Sequence, residues 1–413
     1  MITTAAPAPR IYWLTTEFFP PETGGTGMIA ARLAQGLAER GLDVQVVTRQ
    51  TLPHCAVREL VGKVRVRRIN PAGRMKGVGW RAFPAMIGYV ARLALVLISE
   101  ARHYDIVVVS GMKTIPLTAV PVCRLLGKKC VVRVESPFEM VEPISAESLD
   151  MMNGILGRIL GRVLKGMQRA VLRQASCVIA ISDDIAGLLT RLEHPPARIV
   201  NIPNAADLGK FKPAPVDDKE LLRHRLGFPP GRTIVLYVGR LSRAKGVMML
   251  IEAWPQLIAR HPTAYLVMVG SGKGSWDDCE EEIVEYRRAH ELDAHVALVG
   301  HSNRVHEYLQ AADLFVSPSD YEGFSLTLVE ALGCAIPVVT TSVGAAPQII
   351  RDTVNGFLCP PKNKEALSAA LQLALAQENN WPGIGRLARE SVEAFDIPRV
   401  ADQYVALFRE LQG

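Results

Sequence analysis

Several features that would send a chain of 413 residues to a secreted, membrane-spanning or metal-centred class are missing or scarce. Its seven cysteines, Cys55, Cys123, Cys130, Cys177, Cys279, Cys334 and Cys359, are odd in number, scattered and never paired as C-x-x-C. Neither a disulfide framework nor a zinc site is expected, and a reducing cytoplasm is. No Asp-x-Asp occurs, so the usual carboxylates that bridge a metal to a diphosphate are missing. The N-terminus, MITTAAPAPR, has no basic region followed by an apolar run, which argues against a secretory signal. A spanning helix needs about 18 or more apolar residues, and the nearest stretch, Ala82 to Ser99, is interrupted by Arg92. No zinc finger, RNP-like aromatic set or basic recognition helix appears, so nucleic acid is a poor candidate partner.

What is present is an uneven distribution of charge. The chain carries +6 overall, but residues 1–205 hold 26 Lys+Arg against 15 Asp+Glu, leaving that half at +11 and the remainder at −5. A basic half beside an acidic one points to an anionic partner, such as lipid headgroups. The length suits two domains of about 200 residues each.

Both halves alternate short apolar strands with helical periodicity. Arg10–Thr16 reads as a strand, followed by a loop holding Gly24, Gly25 and Gly27 and a helix from Met28 to Arg40. Val44–Thr48, Val64–Ile69, Ile106–Ser110, Lys129–Val134 and Cys177–Ile181 follow as strands, with a helix over Met86–Ala101. The second half repeats the plan with strands at Thr233–Gly239, Ala264–Gly270, His295–Gly300 and Leu314–Ser317 and a helix at Val247–Ala259. Pro203–Pro215 is the best linker candidate. The fold class expected is α/β, two doubly wound parallel sheets whose ligands bind beyond the carboxyl ends of the strands.

The most informative stretch is Ser317–Val339, SPSDYEGFSLTLVEALGCAIPVV. With a loop over Tyr321–Ser325 and a helix over Leu326–Gly333, Glu322 sits before the helix and Glu330 about two turns on, too far apart to share a proton. The first-turn amides of Ser325, Leu326 and Thr327 offer an anion site suited to a diphosphate. Glu322 and Glu330, followed by Ala331, Gly333 and a Pro337-Val338-Val339 strand, resemble the E-x7-E signature of glycosyltransferase family 4, the retaining nucleotide-sugar transferases of GT-B architecture. Val238-Gly239-Arg240-Leu241 with Lys245-Gly246 resembles that family's phosphate-binding Arg and Lys. Asn204–Asp207 with Phe211 resembles its interdomain segment, and Gly24-Gly25 its N-terminal glycine loop.

The resemblance implies two Rossmann-like domains facing across a cleft. Residues 1–205 would form the acceptor domain and residues 206–395 the nucleotide-sugar domain, with a C-terminal helix, 396–413, packing back on the first. It further implies catalytic roles for Glu322, Arg240 and Lys245. Donor contacts would come from Gly24, Gly25, Arg240, Lys245, Gly270, Gly323, Phe324, Ser325, Leu326 and Glu330, the last holding ribose hydroxyls. The donor would be a UDP- or GDP-sugar, with no cofactor and no metal required, because two cations already face the leaving phosphate. Departures from the family pattern occur at Glu135 and Glu139, where a His is common, and at Ser325, Ala205 and Gln348. Met151–Gln174 is an amphipathic stretch whose Arg158, Arg162, Lys165, Arg169 and Arg173 group opposite an apolar face. It is either a domain helix or a membrane-surface helix. The function expected is therefore transfer of a sugar to a lipid-linked sugar or surface glycan, by a cytoplasmic protein peripheral to the inner face of the cell membrane. The alternatives are a soluble small-molecule acceptor, a nucleotide-sugar epimerase, or a non-catalytic nucleotide-sugar-binding protein.

Overall fold

The computed structural model describes residues 8–15, 25–50, 55–70, 83–111, 115–136 and 155–412. They form two compact units, one of residues 1–205 with 397–413 and the other of residues 206–396.

The first unit holds an eight-stranded sheet in the order β3-β4-β2-β1-β5-β6-β7-β8. Its strands are β1 Arg10–Leu14, β2 Asp43–Arg49, β3 Arg58–Val61, β4 Val64–Ile69, β5 Ile106–Ser110, β6 Lys129–Val134, β7 Cys177–Ala180 and β8 Ile199–Asn201. Ile106, Val107, Val108 and Val109 are all fully buried. Such an unbroken apolar run is what a parallel strand covered on both faces requires. All pairings are parallel except β3 with β4, where Gly62-Lys63 closes a tight hairpin and adds an antiparallel edge. The helices are α1 Gly25–Glu39, α2 Phe83–Ser99, α3 Ile115–Leu125, α4 Ile155–Leu172 and α5 Asp183–Arg191. Right-handed crossovers put α1 on one face of the sheet and α2 to α5 on the other, because the chain reverses direction between β2–β4 and β5. The C-terminal helix, Ile397–Gln412, joins α1, and its Tyr404 ring packs on Trp13 with centroids 5.7 Å apart.

The second unit holds a six-stranded, wholly parallel sheet in the order β11-β10-β9-β12-β13-β14. Its strands are β9 Thr233–Val238, β10 Ala264–Val269, β11 Val296–Gly300, β12 Leu314–Ser317, β13 Val338–Thr341 and β14 Phe357–Cys359. The helices used below are α6 Val216–Arg225, α7 Val247–Arg260, α8 Glu280–Ala289, α9 Val305–Ala311 and α10 Leu326–Gly333. Fully buried Trp254 anchors α7 against the sheet core of Val235, Leu266 and Leu314. The chain enters and leaves this unit at adjacent points, since Ala206 N–H donates to Phe395 O at 2.9 Å and Leu208 N–H to Asp396 Oδ1 at 3.1 Å.

Candidate active site

In the second unit the order reverses between β9 and β12, so their carboxyl ends flank a topological switch point, the place where open parallel sheets bind ligands. The chain leaves β9 through Gly239, Arg240 and Leu241 and turns into α7 at Gly246; it leaves β12 through Pro318 to Ser325 and enters α10. Lys245 and Glu322, 77 residues apart in sequence, meet here: Lys245 Nζ donates to Glu322 Oε1, and Ser319 Oγ donates to the same oxygen at 3.1 Å. Both charged side chains are mostly covered, at 23% and 17% exposed, so the pair is poorly screened by solvent. Arg240 is exposed on the same loop, and its Nη1 donates to Ser275 Oγ at 3.4 Å.

The loop that carries the two cations is held from several sides. Gly246 has φ +67°, and a Cβ there would lie 1.9 Å from Pro318 O, so only glycine lets this turn touch the β12 loop. Gly270, at the end of β10, lies so close to β9 that a Cβ would fall 1.8 Å from Gly239 O. Asp277, 7% exposed, accepts from Ala244 N–H at 3.0 Å and from Ser275 Oγ at 2.5 Å, while its carbonyl accepts from Arg243 N–H at 3.0 Å. Burial pushes its carboxyl up, but these hydrogen bonds outweigh burial and hold it below its ordinary range. Asp320 N–H donates to Ala244 O at 3.0 Å, tying the β9 loop to the β12 loop. Buried Tyr237, its phenol pushed far up by burial, donates its hydroxyl to Arg240 O at 2.7 Å.

Helix α10 begins and ends where the sequence predicts. Ser325 caps it, accepting Leu328 N–H at 3.3 Å, so the amides of Leu326 and Thr327 are the ones that precede the capped turn. Gly323 and Phe324 lie in the loop before the cap; Phe324 is buried and packs edge-on against Phe395 at 5.7 Å. Glu330 is buried, at 5% exposed, rather than a solvated helix carboxylate. Burial first and the Glu330 carboxylate second push the Cys334 thiol up to about 12.

Arg240, Lys245, Gly270, Glu322, Gly323, Phe324, Ser325, Leu326 and Glu330 thus all lie on the loops and helix that follow β9, β10 and β12. In the first unit, Gly25 opens α1 on the carboxyl side of β1, and Gly24 lies outside the described residues. The residues that position the site, Ser275, Asp277 and Ser319, are not singled out by the sequence, because each works through a partner on a different loop. The position where a His is expected turns out to belong to an ion pair. Arg133, fully buried on β6, donates to Glu135 Oε1 at 2.6 Å and also to Asn204 Oδ1. Glu139 lies outside the described residues. Among the described residues there is no cluster of His, Cys, Asp or Glu arranged for a metal ion.

Two parallel-sheet Rossmann-like units with an ion-paired, cation-bearing site at the switch point of the second define the GT-B architecture. Residues 24–205 match the "Glycosyl transferase 4-like domain" model and residues 218–390 the "Glycosyl transferases group 1" model, so the chain is a glycosyltransferase of the GT4 type. It is 27% identical, over 94% of its length and 91% of the relative's, to a D-inositol 3-phosphate glycosyltransferase of Kineococcus radiotolerans. Its fold resembles that of sucrose-phosphate synthase from Thermosynechococcus elongatus, with TM-score 0.79, 25% identity and coverage of 98% and 99%. It also resembles Anabaena HepE in complex with UDP-glucose, with TM-score 0.75, 20% identity and coverage of 97% and 99%.

Proposed function

We propose that this glycosyltransferase moves a sugar from a UDP-sugar, with retention at the anomeric carbon and without a metal, to a hydroxyl of a soluble phosphorylated small molecule. The observation that carries the donor side is the meeting of Lys245 with Glu322, beside Arg240, at the β9/β12 switch point. Charge that develops on the departing β-phosphate as the glycosidic C–O bond breaks is stabilised by Lys245 and Arg240, the work a metal does elsewhere. Lys245 then exchanges Glu322 for phosphate, and the released carboxylate faces the oxocarbenium-like sugar, stabilising it or orienting its hydroxyls. The acceptor hydroxyl attacks the face the diphosphate leaves and gives its proton to that phosphate, so configuration is kept. Glu330, buried between one and two helix turns beyond the Ser325 cap, holds the ribose hydroxyls.

The D-inositol 3-phosphate glycosyltransferase relatives and the sucrose-phosphate synthase fold support a soluble phosphorylated acceptor, and an anionic acceptor also suits the +11 charge of residues 1–205. The experiment offers UDP-, GDP- and ADP-sugars together with D-inositol 3-phosphate or a hexose phosphate, in EDTA, and reads the anomeric configuration of the product by NMR. A retained linkage from the UDP-sugar supports the reading. An inverted product, a strict demand for added metal, or sugar turnover without acceptor overturns it.

A lipid-linked acceptor at a membrane surface is the second reading, favoured by one observation. Ile87 and Leu95 on α2, Leu125 on α3, and Val163 and Met167 on α4 each expose more than half of their surface on the helical layer that covers one face of the first sheet. On α4, Gln168 and Leu172 face inward, so the apolar stripe is wider than the strip that the fold buries. Arg162, Arg169 and Arg173 are exposed nearby. Binding to phosphatidylglycerol vesicles at low salt, lost when Arg158, Arg162, Lys165, Arg169 and Arg173 are changed together to Gln, would move this reading ahead.

A further inference from the structure

One cavity lies wholly in the first unit and shares no lining residue with the candidate active site. It is a cleft of about 600 Å³ at the outer edge of the first sheet, lined by Tyr12, Arg58, Arg65, Arg67, Glu100 and His103 among others. The strand register explains how these side chains converge. Tyr12, Gln45 and Arg65 lie opposite one another across β1, β2 and β4, and Arg58 on β3 lies opposite Arg67 on β4. Side chains two apart on a strand share a face, so Arg65 and Arg67 point the same way as Arg58 and Leu60. That face is the one α2 covers, because Trp13, next to Tyr12, faces the C-terminal helix on the other side. Helix α2 ends at Ser99, and the hairpin extends the sheet past it, leaving an arginine-bearing shelf.

The charges in the cleft do not cancel. Glu100 is the single carboxylate for two of the arginines: Arg67 Nη1 donates to its Oε1, Arg58 Nη2 lies 3.6 Å from the same oxygen, and Tyr12 hydroxyl donates to Oε2 at 2.8 Å. Glu59, the other acidic lining residue, is taken by Arg68 at 2.5 Å, and Arg65 pairs with Asp43 at 2.6 Å. One guanidinium charge is therefore in surplus, with His103 beside it. Arg58 is 72% exposed and lines the cleft with its Nη2 3.6 Å from Glu100, beyond hydrogen-bond distance, so its guanidinium donors are open to a ligand. Two donors and the further cation of Arg58 gather on one mostly covered carboxylate, which leaves the cleft net positive, and a volume in the range of small-ligand sites gives an anion room.

We propose that this cleft is a second anion site, for a small phosphorylated molecule carrying two or more phosphate charges, distinct from the donor site. It lies toward the amino-terminal ends of the strands, whereas the chemistry sits at carboxyl ends; Glu100 and His103 come from the turn that leads into β5. A scatter of solvated ion pairs on an open surface would bind nothing measurable. Here Arg58 and Arg67 share one mostly covered carboxylate, Glu100, inside a cleft.

The test titrates inorganic pyrophosphate into the full chain by calorimetry in four forms. They are wild type, Arg240→Ala/Lys245→Ala, Arg58→Gln/Arg65→Gln, and the combination of all four changes. Two classes of pyrophosphate site are expected in the wild type. The Arg240→Ala/Lys245→Ala form should keep one of them, weakening with salt, and the combined form should lose it by tenfold or more. In a calorimetric scan the first unit's transition in Arg58→Gln/Arg65→Gln should match that of the wild type, which reports that this unit is folded, and UDP binding at the second unit should be unchanged. Should that variant lose the first unit's transition, Arg58→Gln alone, on the most exposed arginine of the three, carries the same expectation. Absence of pyrophosphate binding in the Arg240→Ala/Lys245→Ala form, or binding there that is unchanged by Arg58→Gln, overturns the proposal. UDP that binds nowhere would count against the donor reading and leave this comparison intact.

Discussion

Lys245 and Glu322 are each other's counter-ion, so each substitution at the site has two parts. Lys245→Ala removes one of the two cations proposed to face the leaving diphosphate and strands a mostly covered carboxylate, whereas Arg240→Ala removes only the other cation. Each is expected to lower kcat/KM by a factor equivalent to about 2 to 4 kcal/mol, with Lys245→Ala at the upper end, in steady-state kinetics over donor concentration. Wild-type kcat/KM in both would remove them from the site. In the first unit, Glu135→Ala leaves the fully buried Arg133 guanidinium bonded to Asn204 without its counter-ion. Breaking a buried pair from one side costs about 3 to 5 kcal/mol, seen as a lower unfolding midpoint for that unit alone. The spacing from Glu322 to Glu330 and the residues Arg240 and Lys245 were legible in the sequence. Their pairing was not, because it depends on how β9 and β12 lie side by side.

Elements were most legible where a strand is buried on both faces. The bounds of β5, β6, β12 and α10 coincide with the expected ones, since a buried run or a Ser cap marks them; those of β4 coincide as well, although its VRVRRI alternates and Arg65 is exposed. The expected strand Arg10–Thr16 ends at Leu14 instead, and the short β3, β8 and β14 gave no signal, being three or four residues long and held by their neighbours rather than by pattern. The loop from Gly239 to Gly246 depends on Asp277, and its acid response follows from that carboxylate. The folded-state pKa of Asp277 is depressed, so its stabilisation is complete above the unfolded value, about 3.9, and is lost as pH falls from there through the lower folded value. Asp277→Asn is therefore expected to weaken UDP binding near neutral pH and to flatten the acid limb of the second unit's stability curve. An acid limb unchanged by the substitution would mean that Ser275 and Ala244 hold the loop without it. At Gly246, alanine is strained by its positive φ and meets Pro318 O, so Gly246→Ala should cost about 1 to 3 kcal/mol of stability and donor affinity together.

At the scale of the whole molecule, the charge asymmetry of the halves and their repeated strand-helix plan made a two-unit α/β chain legible, and the C-terminal helix shows what that plan leaves open. An amphipathic stretch at the end of a chain says that one face is buried without saying against what. In the structure the second unit is a single continuous segment, 206–396, whereas the first is completed by 397–413 from the far end of the chain. Val400, Ala401, Tyr404, Leu407 and Phe408 of that helix are buried, with Tyr404 against Trp13, and Gly36 of α1 lies so close to it that a Cβ would fall 2.7 Å from the Ile397 side chain. Burying four large side chains contributes roughly 1.5 to 3 kcal/mol each, so the helix is worth on the order of 10 kcal/mol, comparable with the entire stability of an ordinary domain. Ending the chain at Asp396 is therefore expected to unfold the first unit and spare the second, because no residue of 397–413 belongs to the latter. In a calorimetric scan the truncated chain should lose one transition and keep the other, and UDP should still raise the surviving one. Two intact transitions would show that α1 and the first sheet hold without their distant partner, and loss of both would show that the second unit depends on the first for its own fold.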